Sequence, residues 1–202
     1  MKLYKYLPKE FAEQMTRQGI LKIGTLYEYR ETDLGPQIGD KEEGLITKQL
    51  IGPITVSQES HSDFLKEMNL IFKDPQHIKG SMSYVQSSEN LYIYSMSEIY
   101  SSALMKDFGY DSCIEIVSPD YFFELISKNL PKAIYQGYHK CVYGERTVSY
   151  DAKERLHPAL IKPKSSHERQ AEVRAIWSSP GNEIKSGIYE IPAITNCIKR
   201  LF

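Results

Sequence analysis

The amino-acid sequence predicts a single α+β domain that spans residues 1–202. Segments with strand alternation and segments with helical spacing are mixed along the chain, without the regular strand–helix–strand rhythm of a doubly wound sheet. Hydrophobic residues make up 41% of the chain and charged residues 25%, which is typical of a folded globular protein. No internal repeat, low-complexity tract or clear linker divides the chain into smaller units.

The first half of the chain predicts two short strands around a helix, followed by less regular segments. Residues 3–7 predict a strand, and Pro8 opens a helix that runs to Gln18 and stops at Gly19. The further predictions are a strand at 21–23, an ordered loop or lid at 31–44, a strand pair at 46–56 broken at 52–53, a helix at 57–74, and a loop or hairpin turn at 80–90.

The second half has stronger patterns. Residues 170–177 alternate strictly between two faces, which predicts a strand. Ser97 stands where the N-cap of a helix from about 98 to 108 is expected, and Ser118-Pro119 starts a helix to about 129. The remaining predictions are strands at 91–96, 111–117, 140–148 and 187–191, and a closing helix at 192–201.

Charge and cysteine content exclude several classes of protein. A net charge of -1 argues against an electrostatic hold of the whole protein on nucleic acid or membrane. Residues 132–174 nevertheless contain nine Lys or Arg against five Asp or Glu, a balance that predicts either a phosphate contact or an ordinary solvated face. Three widely spaced cysteines and the absence of an apolar leader or membrane span predict a cytoplasmic protein with no membrane partner.

Common enzyme motifs are missing. The sequence contains no phosphate-binding loop, no Rossmann glycine fingerprint and no G-x-S-x-G nucleophile elbow. Its five histidines are too scattered for the helical spacing of a zinc site, so no metal is predicted.

Two paired-residue segments are candidates for a functional site. Ser95 and Ser97 share one face at the end of a strand, where a following helix N-terminus favours a diphosphate; the alternative is a simple strand end with an N-cap serine. Gln170 and Glu172 project side by side from a late strand, where a carboxylate can bind ribose hydroxyls and stabilise developing positive charge. The alternative is a solvated strand face on which Glu172 pairs with Arg174 or a cross-strand base.

The N-terminal residues offer cations and aromatic rings. Lys5 or Arg30 can hold phosphate, and a tyrosine among Tyr6, Tyr27 and Tyr29 can stack on an aromatic base. Aromatic packing around short strands explains the same residues without a ligand.

The order of these segments resembles the site series of ADP-ribosyltransferases: a basic residue on an early strand, Ser-x-Ser at a strand end, and Gln-x-Glu on a late strand. Four segments are also similar to a large family of uncharacterised bacterial proteins: Leu3-Tyr4-Lys5-Tyr6 with Gly24-Thr25-Leu26; Tyr94-Ser95-Met96-Ser97 with Phe108-Gly109-Tyr110-Asp111 and Cys113-Ile114-Glu115-Ile116; Val142-Tyr143 with Arg146; and Lys162 or Lys164 with Gln170-x-Glu172-x-Arg174 and Trp177. The resemblance implies split mixed or antiparallel sheets with flanking helices.

The resemblance also implies an enzyme that consumes nicotinamide adenine dinucleotide (NAD) without a metal. Glu172, Gln170 and Ser95 would be catalytic, and the nucleotide would be bound by Lys5, Tyr6, Tyr29, Arg30, Tyr94 and Ser97. The acceptor of ADP-ribose is open between protein, nucleic acid and water, and a role as a toxin or in phage defence is implied.

Two departures from the transferase pattern keep a second reading open. Lys5 stands where arginine is usual, and Met96 stands between the serines where a hydroxyl is usual. Both fit a non-catalytic module that binds a nucleotide or a partner protein in the same cleft. An RNA-binding protein that uses the basic residues 132–174 is a third hypothesis.

Overall fold

The computed structural model describes residues 2–31, 39–52, 54–56, 66–70, 76–78, 80–152 and 156–202. These residues form a mixed α/β fold whose strands make four sheets of eight, three, two and two strands. The predicted helix at 57–74 lies largely outside the described residues, as do residues 32–38 of the predicted loop. None of the helices in the described ranges combines the length and the apolar character needed to cross a membrane.

The strands are β1 Leu3–Leu7, β2 Ile20–Thr25, β3 Leu45–Ile51, β4 Ile54–Val56, β5 Gln76–Ile78, β6 Ser81–Ser87, β7 Tyr92–Ser97, β8 Ser112–Ile116, β9 Ile134–Lys140, β10 Val142–Tyr143, β11 Thr147–Ser149, β12 Ile161–Lys162, β13 Glu172–Ser178, β14 Gly187–Glu190 and β15 Ile198–Arg200. The α-helices are α1 Lys9–Gln18, α2 Leu26–Glu31, α3 Ser102–Asp107, α4 Pro119–Asn129 and α5 Lys164–His167. Short 3-10 helices cover Pro158–Leu160, Glu168–Gln170 and Pro192–Cys197.

The predicted helix after the first strand is confirmed, and its end has a clear cause. Gly19 has φ +72°, and its N–H donates to the Gln14 and Met15 carbonyls, which closes α1. A Cβ added at Gly19 would lie 2.2 Å from the Ile191 carbonyl oxygen. Both the backbone conformation and the close approach therefore require glycine. The helix predicted after Ser118 is likewise confirmed as α4, with Pro119 in its first turn.

The main sheet divides along one edge of β7. On its other edge β7 pairs with β13 over its whole length, from Glu172 opposite Ser97 to Trp177 opposite Tyr92. On the divided edge, β2 pairs only with Tyr92 and Ile93, whereas β1 pairs only with Ser97. From there β2 continues to β14, and β1 continues to β8 and β15. The sheet therefore opens between β1 and β2, beside residues 94–96.

The register of β7 on β13 assigns the side chains of this pair to two faces. One face carries apolar residues that belong to the main hydrophobic core: Tyr92, Tyr94, Met96, Val173, Ala175 and Trp177. The other face carries Ser95 and Ser97 opposite Arg174 and Glu172. Arg174 and Glu172 are only 1% and 7% exposed, so this polar face is buried as well.

The helix predicted at about 98–108 is present, but its predicted start after Ser97 is wrong, because it begins only at Ser102. Directly after β7 the Glu98 N–H donates to the Ala171 carbonyl at 3.0 Å, and residues 98–100 do not form a helix. The helix that follows, α3, has only six residues and is capped by Ser101, whose hydroxyl accepts from the Leu104 N–H. In the described part of the chain, no helix N-terminus therefore directly follows Ser97.

Gln170 is also placed differently from the prediction, since β13 begins only at Glu172. Ala171 has φ +43° and ψ +49°, in the left-handed region, and Gln170 closes a 3-10 turn before it. The strand predicted at 140–148 is three separate pieces, β9, β10 and β11. Of these, β9 starts at Ile134, because β13 supplies a free edge with which it pairs.

Three further predictions fail because of long-range pairing. Residues 81–87 were expected as loop or turn but form β6, whose polar side chains are mostly exposed while its backbone pairs with β3. The strands at 46–56 exist but do not pair with each other: β3 pairs with β6 and β11, and β4 with β5. The closing helix at 192–201 is a 3-10 turn followed by β15, which pairs with the outer edge of β8.

Candidate functional site

A cavity of about 430 Å³ lies where the main sheet opens between β1 and β2. This volume is within the roughly 300–1,000 Å³ of small-molecule sites. Five of the predicted site residues line it together, and three more, all tyrosines, are part of its walls. The five are Lys5, Ser95, Ser97, Gln170 and Glu172, and the tyrosines are Tyr6, Tyr29 and Tyr94. The fold thus gathers residues from both ends of the chain into one hollow.

Arg30 is the predicted site residue that does not line the cavity. Its Nε donates to the Glu43 carbonyl oxygen at 2.9 Å, and its guanidinium stacks 4.6 Å from the centre of the Tyr27 ring. Of the two cations considered for a ligand phosphate, only Lys5 therefore faces the cavity. Arg30 instead supports the backbone at Glu43.

Lys5 fills the break in the β7 edge. Its Nζ donates to the Ser95 carbonyl oxygen at 2.7 Å and lies 4.7 Å from the centre of the Tyr94 ring. Burial lowers the pKa of Lys5 to about 8, because removing the ammonium from water disfavours its charged form. Among the described residues no carboxylate lies within ion-pair distance of this amine. Lys5 is therefore a cavity cation whose charge is not already neutralised by direct contact.

The two serines have different surroundings. The Ser97 hydroxyl donates to the Gln170 carbonyl at 2.7 Å and accepts from the Ile99 N–H at 3.1 Å, so it holds the end of β7 in place. The Ser95 hydroxyl makes no hydrogen bond with the described part of the chain, and Ser95 is only partly buried. Ser95 is thus the serine that can contact a ligand, and Ser97 has a structural role.

Glu172 begins β13 with its carboxylate beside two cations. Its Oε1 accepts from Arg174 Nε at 2.7 Å, and its Oε2 lies 3.9 Å from Lys162 Nζ. Burial alone would raise the pKa of Glu172, but the charges of Arg174 and then Lys162 outweigh it and lower the pKa. Glu172 is therefore a fixed, ionised carboxylate at neutral pH.

A second buried acid completes the cluster. Glu43 is fully buried, and its carboxylate accepts from Arg174 Nη1 at 2.7 Å, from Arg174 Nη2 at 3.1 Å, and from Lys162 Nζ at 2.5 Å. These charges outweigh burial, which alone would raise the pKa of Glu43, and lower it to about 2. We call the four side chains Glu43, Lys162, Glu172 and Arg174 the charge cluster. It contains two carboxylates and two cations, so its formal charge is zero.

The sequence offered no signal for Glu43. It is one of several acids in the polar residues 31–44, and no spacing relates it to Glu172, which follows 129 residues later. The sequence relates Arg174 to Glu172 as a possible partner, and both Arg174 and Lys162 belong to the resemblance and to the basic segment 132–174, but nothing relates either residue to Glu43. The charge cluster arises because the fold brings the Glu43 side chain to Arg174 of β13 and to Lys162.

Neighbouring residues hold the ends of the charge cluster. The Arg146 guanidinium pairs with Asp40, three residues before Glu43, and donates to the Ile161 carbonyl beside Lys162. Near Glu172, the Tyr143 hydroxyl accepts from the Glu172 N–H at 2.6 Å. These contacts give the segments that supply Glu43, Lys162 and Glu172 a common support.

The predicted tyrosines have unequal freedom to contact a ligand. Tyr6 donates its hydroxyl to the Ile99 carbonyl and accepts from the Ser101 N–H, and burial raises its pKa to about 12. Tyr29 is partly buried beside Gly24, where an added Cβ would lie 2.9 Å from the Tyr29 hydroxyl. Burial raises the pKa of both Tyr29 and Tyr94, so their hydroxyls are protonated at neutral pH.

The basic residues between 132 and 174 do not form one cationic surface in the described part of the chain. Lys162 and Arg174 are buried in the ion pairs given above, and Arg146 is partly buried in its pair with Asp40. At the surface, Lys140 pairs with Glu98 at 2.7 Å and Arg169 approaches Asp107 at 3.8 Å. Lys153 and Arg155 lie outside the described residues. The described cations of this segment are largely matched by nearby acids.

Neither a metal site nor a known relative indicates a function for this chain. Among the described residues, no three His, Cys, Asp or Glu side chains are grouped as a metal site requires. No protein-family model, curated protein sequence or solved structure matches this chain. A function can therefore be inferred only from the cavity and the residues that line it.

Proposed function

We propose that the cavity binds NAD and that Glu172 serves ADP-ribosyltransferase chemistry, with transfer of ADP-ribose to a macromolecule or to water. The observation that carries the proposal is the convergence of Lys5, Ser95 and Glu172 on one cavity from β1, β7 and β13. These are the elements on which the resemblance to ADP-ribosyltransferases depends. The opening of the main sheet along β7 also fits the split-sheet fold that the resemblance implies.

In the proposed reaction the bond between nicotinamide and ribose C1′ breaks, and nicotinamide leaves with the bonding electrons. The acceptor atom then bonds C1′ and releases its proton. Positive charge develops on the ribose as the bond breaks, and a fixed carboxylate stabilises it. Glu172 can also accept hydrogen bonds from ribose hydroxyls through Oε2, while Arg174 keeps Oε1 in place. Lys5 would face a phosphate, and Tyr29 an aromatic ring.

A second candidate is a non-catalytic module that holds a nucleotide in the same cavity. The charge cluster favours it, because Arg174 and Lys162 already offset much of the negative charge of Glu172. The absence of a helix start after Ser97 also removes the predicted diphosphate contact at that point. Binding without turnover is the behaviour that this candidate predicts.

The two candidates separate in one experiment on the purified protein. Calorimetry measures NAD binding, and chromatography measures nicotinamide release, for the wild type, Glu172→Gln and the matched control Glu168→Gln. Glu168 is exposed on the preceding turn and approaches Lys164 at 3.7 Å, so its variant should behave as wild type. We expect Glu172→Gln to reduce release by about 10²–10³-fold, the effect of losing one positioned charge stabiliser.

The outcomes point in different directions. Release by the wild type that persists in Glu172→Gln would remove Glu172 from the reaction. Tight binding with no release in any variant would favour the non-catalytic module, and no binding at all would end both candidates. Thermal melting of each variant distinguishes loss of function from loss of fold, since Glu172 is buried.

A further inference from the structure

Lys162 lies between the two acids of the charge cluster and contacts them unequally. Its Nζ is 2.5 Å from Glu43 Oε2 but 3.9 Å from Glu172 Oε2, which is beyond hydrogen-bond distance. None of the described residues donates a hydrogen bond to Glu172 Oε2. The oxygen through which Glu172 would meet a ligand is therefore left open, although a buried ammonium is close by.

Glu43 is the residue that determines this asymmetry. It is completely buried, and it accepts hydrogen bonds from both terminal nitrogens of Arg174 as well as from Lys162. Its backbone is held in turn by Arg30, which donates to the Glu43 carbonyl oxygen at 2.9 Å. A carboxylate fixed in this way is a strong and immobile competitor for the Lys162 ammonium.

We infer that Glu43 is a positioning residue: by holding Lys162 it keeps that cation off Glu172 and leaves the outer Glu172 oxygen free to accept a ligand hydroxyl. The role of the open oxygen in binding rests on the proposed function, whereas the hold on Lys162 does not. Glu43 itself does not line the cavity, so it acts only through Lys162 and Arg174.

Removing the charge of Glu43 should redirect Lys162. In Glu43→Gln the cluster has one carboxylate and two cations, and Glu172 is then the remaining acid for Lys162. A lysine side chain is flexible, and a movement of about 1 Å would bring Nζ within hydrogen-bond distance of Oε2. A ligand hydroxyl would then have to displace a charged hydrogen bond.

The first test needs no ligand. NMR titration of protein labelled with ¹³C at the glutamate carboxyls measures the pKa of Glu172 in the wild type and in three variants: Glu43→Gln, Lys162→Met and Glu43→Gln/Lys162→Met. We expect Glu43→Gln to lower the pKa of Glu172, in part because the repulsion from Glu43 is lost. If Lys162 also moves closer, Lys162→Met should raise the pKa of Glu172 more in the Glu43→Gln protein than in the wild type. The double variant should reverse that fall, since it removes the cation as well.

The second test uses NAD as the probe. Glu43→Gln should weaken binding by about tenfold, the loss expected for one hydrogen bond to a charged group. The double variant should recover affinity close to that of the wild type, because Glu172 keeps Arg174 and regains an open oxygen. Glu42→Gln is the matched control, since Glu42 is the neighbouring, exposed acid and contacts Arg146.

Each result decides the inference. An effect of Lys162→Met on the pKa of Glu172 that is the same with and without Glu43→Gln would overturn it, as would a double variant that binds NAD no better than Glu43→Gln. If Glu43→Gln does not fold, the double variant carries the test, because its cluster again has no formal charge and should fold and bind. If the wild type does not bind NAD, the proposed function fails, and the NMR titration still decides whether Glu43 holds Lys162.

Discussion

The two faces of the β7–β13 strand pair are both buried but have opposite chemistry. One face packs Tyr94, Val173 and Trp177 into the main hydrophobic core, and the other presents Glu172 and Arg174 to the charge cluster. Burying apolar side chains stabilises the fold by about 25 cal/mol per Å² removed from water. Burying charges costs free energy that close pairing only partly returns. The same two strands therefore stabilise the fold on one face and sustain a costly arrangement on the other.

The polar face of the β7–β13 pair is not the arrangement that would make the fold most stable. A buried ionic cluster is weak evidence of stability, because apolar residues of similar volume often serve as well or better. The cluster borders the cavity, and three of its four members line it: Lys162, Glu172 and Arg174. We interpret the polar face as kept for binding or chemistry and the apolar face as the support that keeps it rigid.

The largest expected effect comes from breaking the cluster at its centre. Arg174→Ala should lower the free energy of unfolding by about 3–5 kcal/mol, because it leaves two buried carboxylates with Lys162 as their one cation in the cluster. Urea unfolding at pH 7 measures the change. Arg169→Ala, an exposed neighbour on the same segment, should stay within about 0.5 kcal/mol of the wild type. A loss below about 1 kcal/mol for Arg174→Ala would mean that the two faces do not differ as described.

The next prediction converts the polar face into a second apolar face. Simultaneous replacement should leave the free energy of unfolding unchanged or raise it by about 1–4 kcal/mol, while NAD binding is lost. The four substitutions are Glu43→Leu, Lys162→Met, Glu172→Leu and Arg174→Met. Urea unfolding and calorimetry measure the two effects on the same preparation. A variant that no longer unfolds cooperatively would show that the cluster specifies the fold as well as the site.

The smallest expected effect is on the pH dependence of the free energy of unfolding, which should differ between Glu43→Gln and the wild type. The pKa of Glu43 is lowered from 4.5 to about 2 in the folded protein, so the unfolded chain binds more protons between these values. The stability contributed by Glu43 is therefore complete above about pH 4.5 and is lost as the pH falls towards 2. Glu172 contributes in the same direction, because its pKa is also lowered.

Chemical denaturation at pH 7, 4.5 and 3 tests this difference. As the pH is lowered, the free energy of unfolding should fall less steeply in Glu43→Gln than in the wild type, because one of the two carboxyls of the charge cluster with a lowered pKa is gone. Glu124→Gln, which alters an exposed acid paired with Lys128 on α4, should follow the wild type. Equal slopes for all three proteins would place the acid sensitivity outside the charge cluster.

Local patterns in the sequence predicted the elements whose signals are also local. The end of α1 at Gly19, the start of α4 at Pro119 and the alternation of β13 all depend on neighbouring residues, and all three are present. The mixed α/β character follows from the same signals. Lys5, Ser95 and Glu172 line one cavity, but no local pattern in the sequence could place them together in space.

Tertiary structure alone decided the remaining features. Residues 81–87 and 198–200 became strands because β3 and β8 offered backbone partners, which outweighed a polar composition in one case and helical spacing in the other. Ser97 lost its predicted cap because Glu98 continued to pair with Ala171. Glu43 belongs to the charge cluster for a similar reason. The fold places its carboxylate beside the buried cations Lys162 and Arg174, with which it forms hydrogen bonds. Hydrogen bonds and charges between distant residues leave no periodicity in the sequence, so they are determined only when the chain has folded.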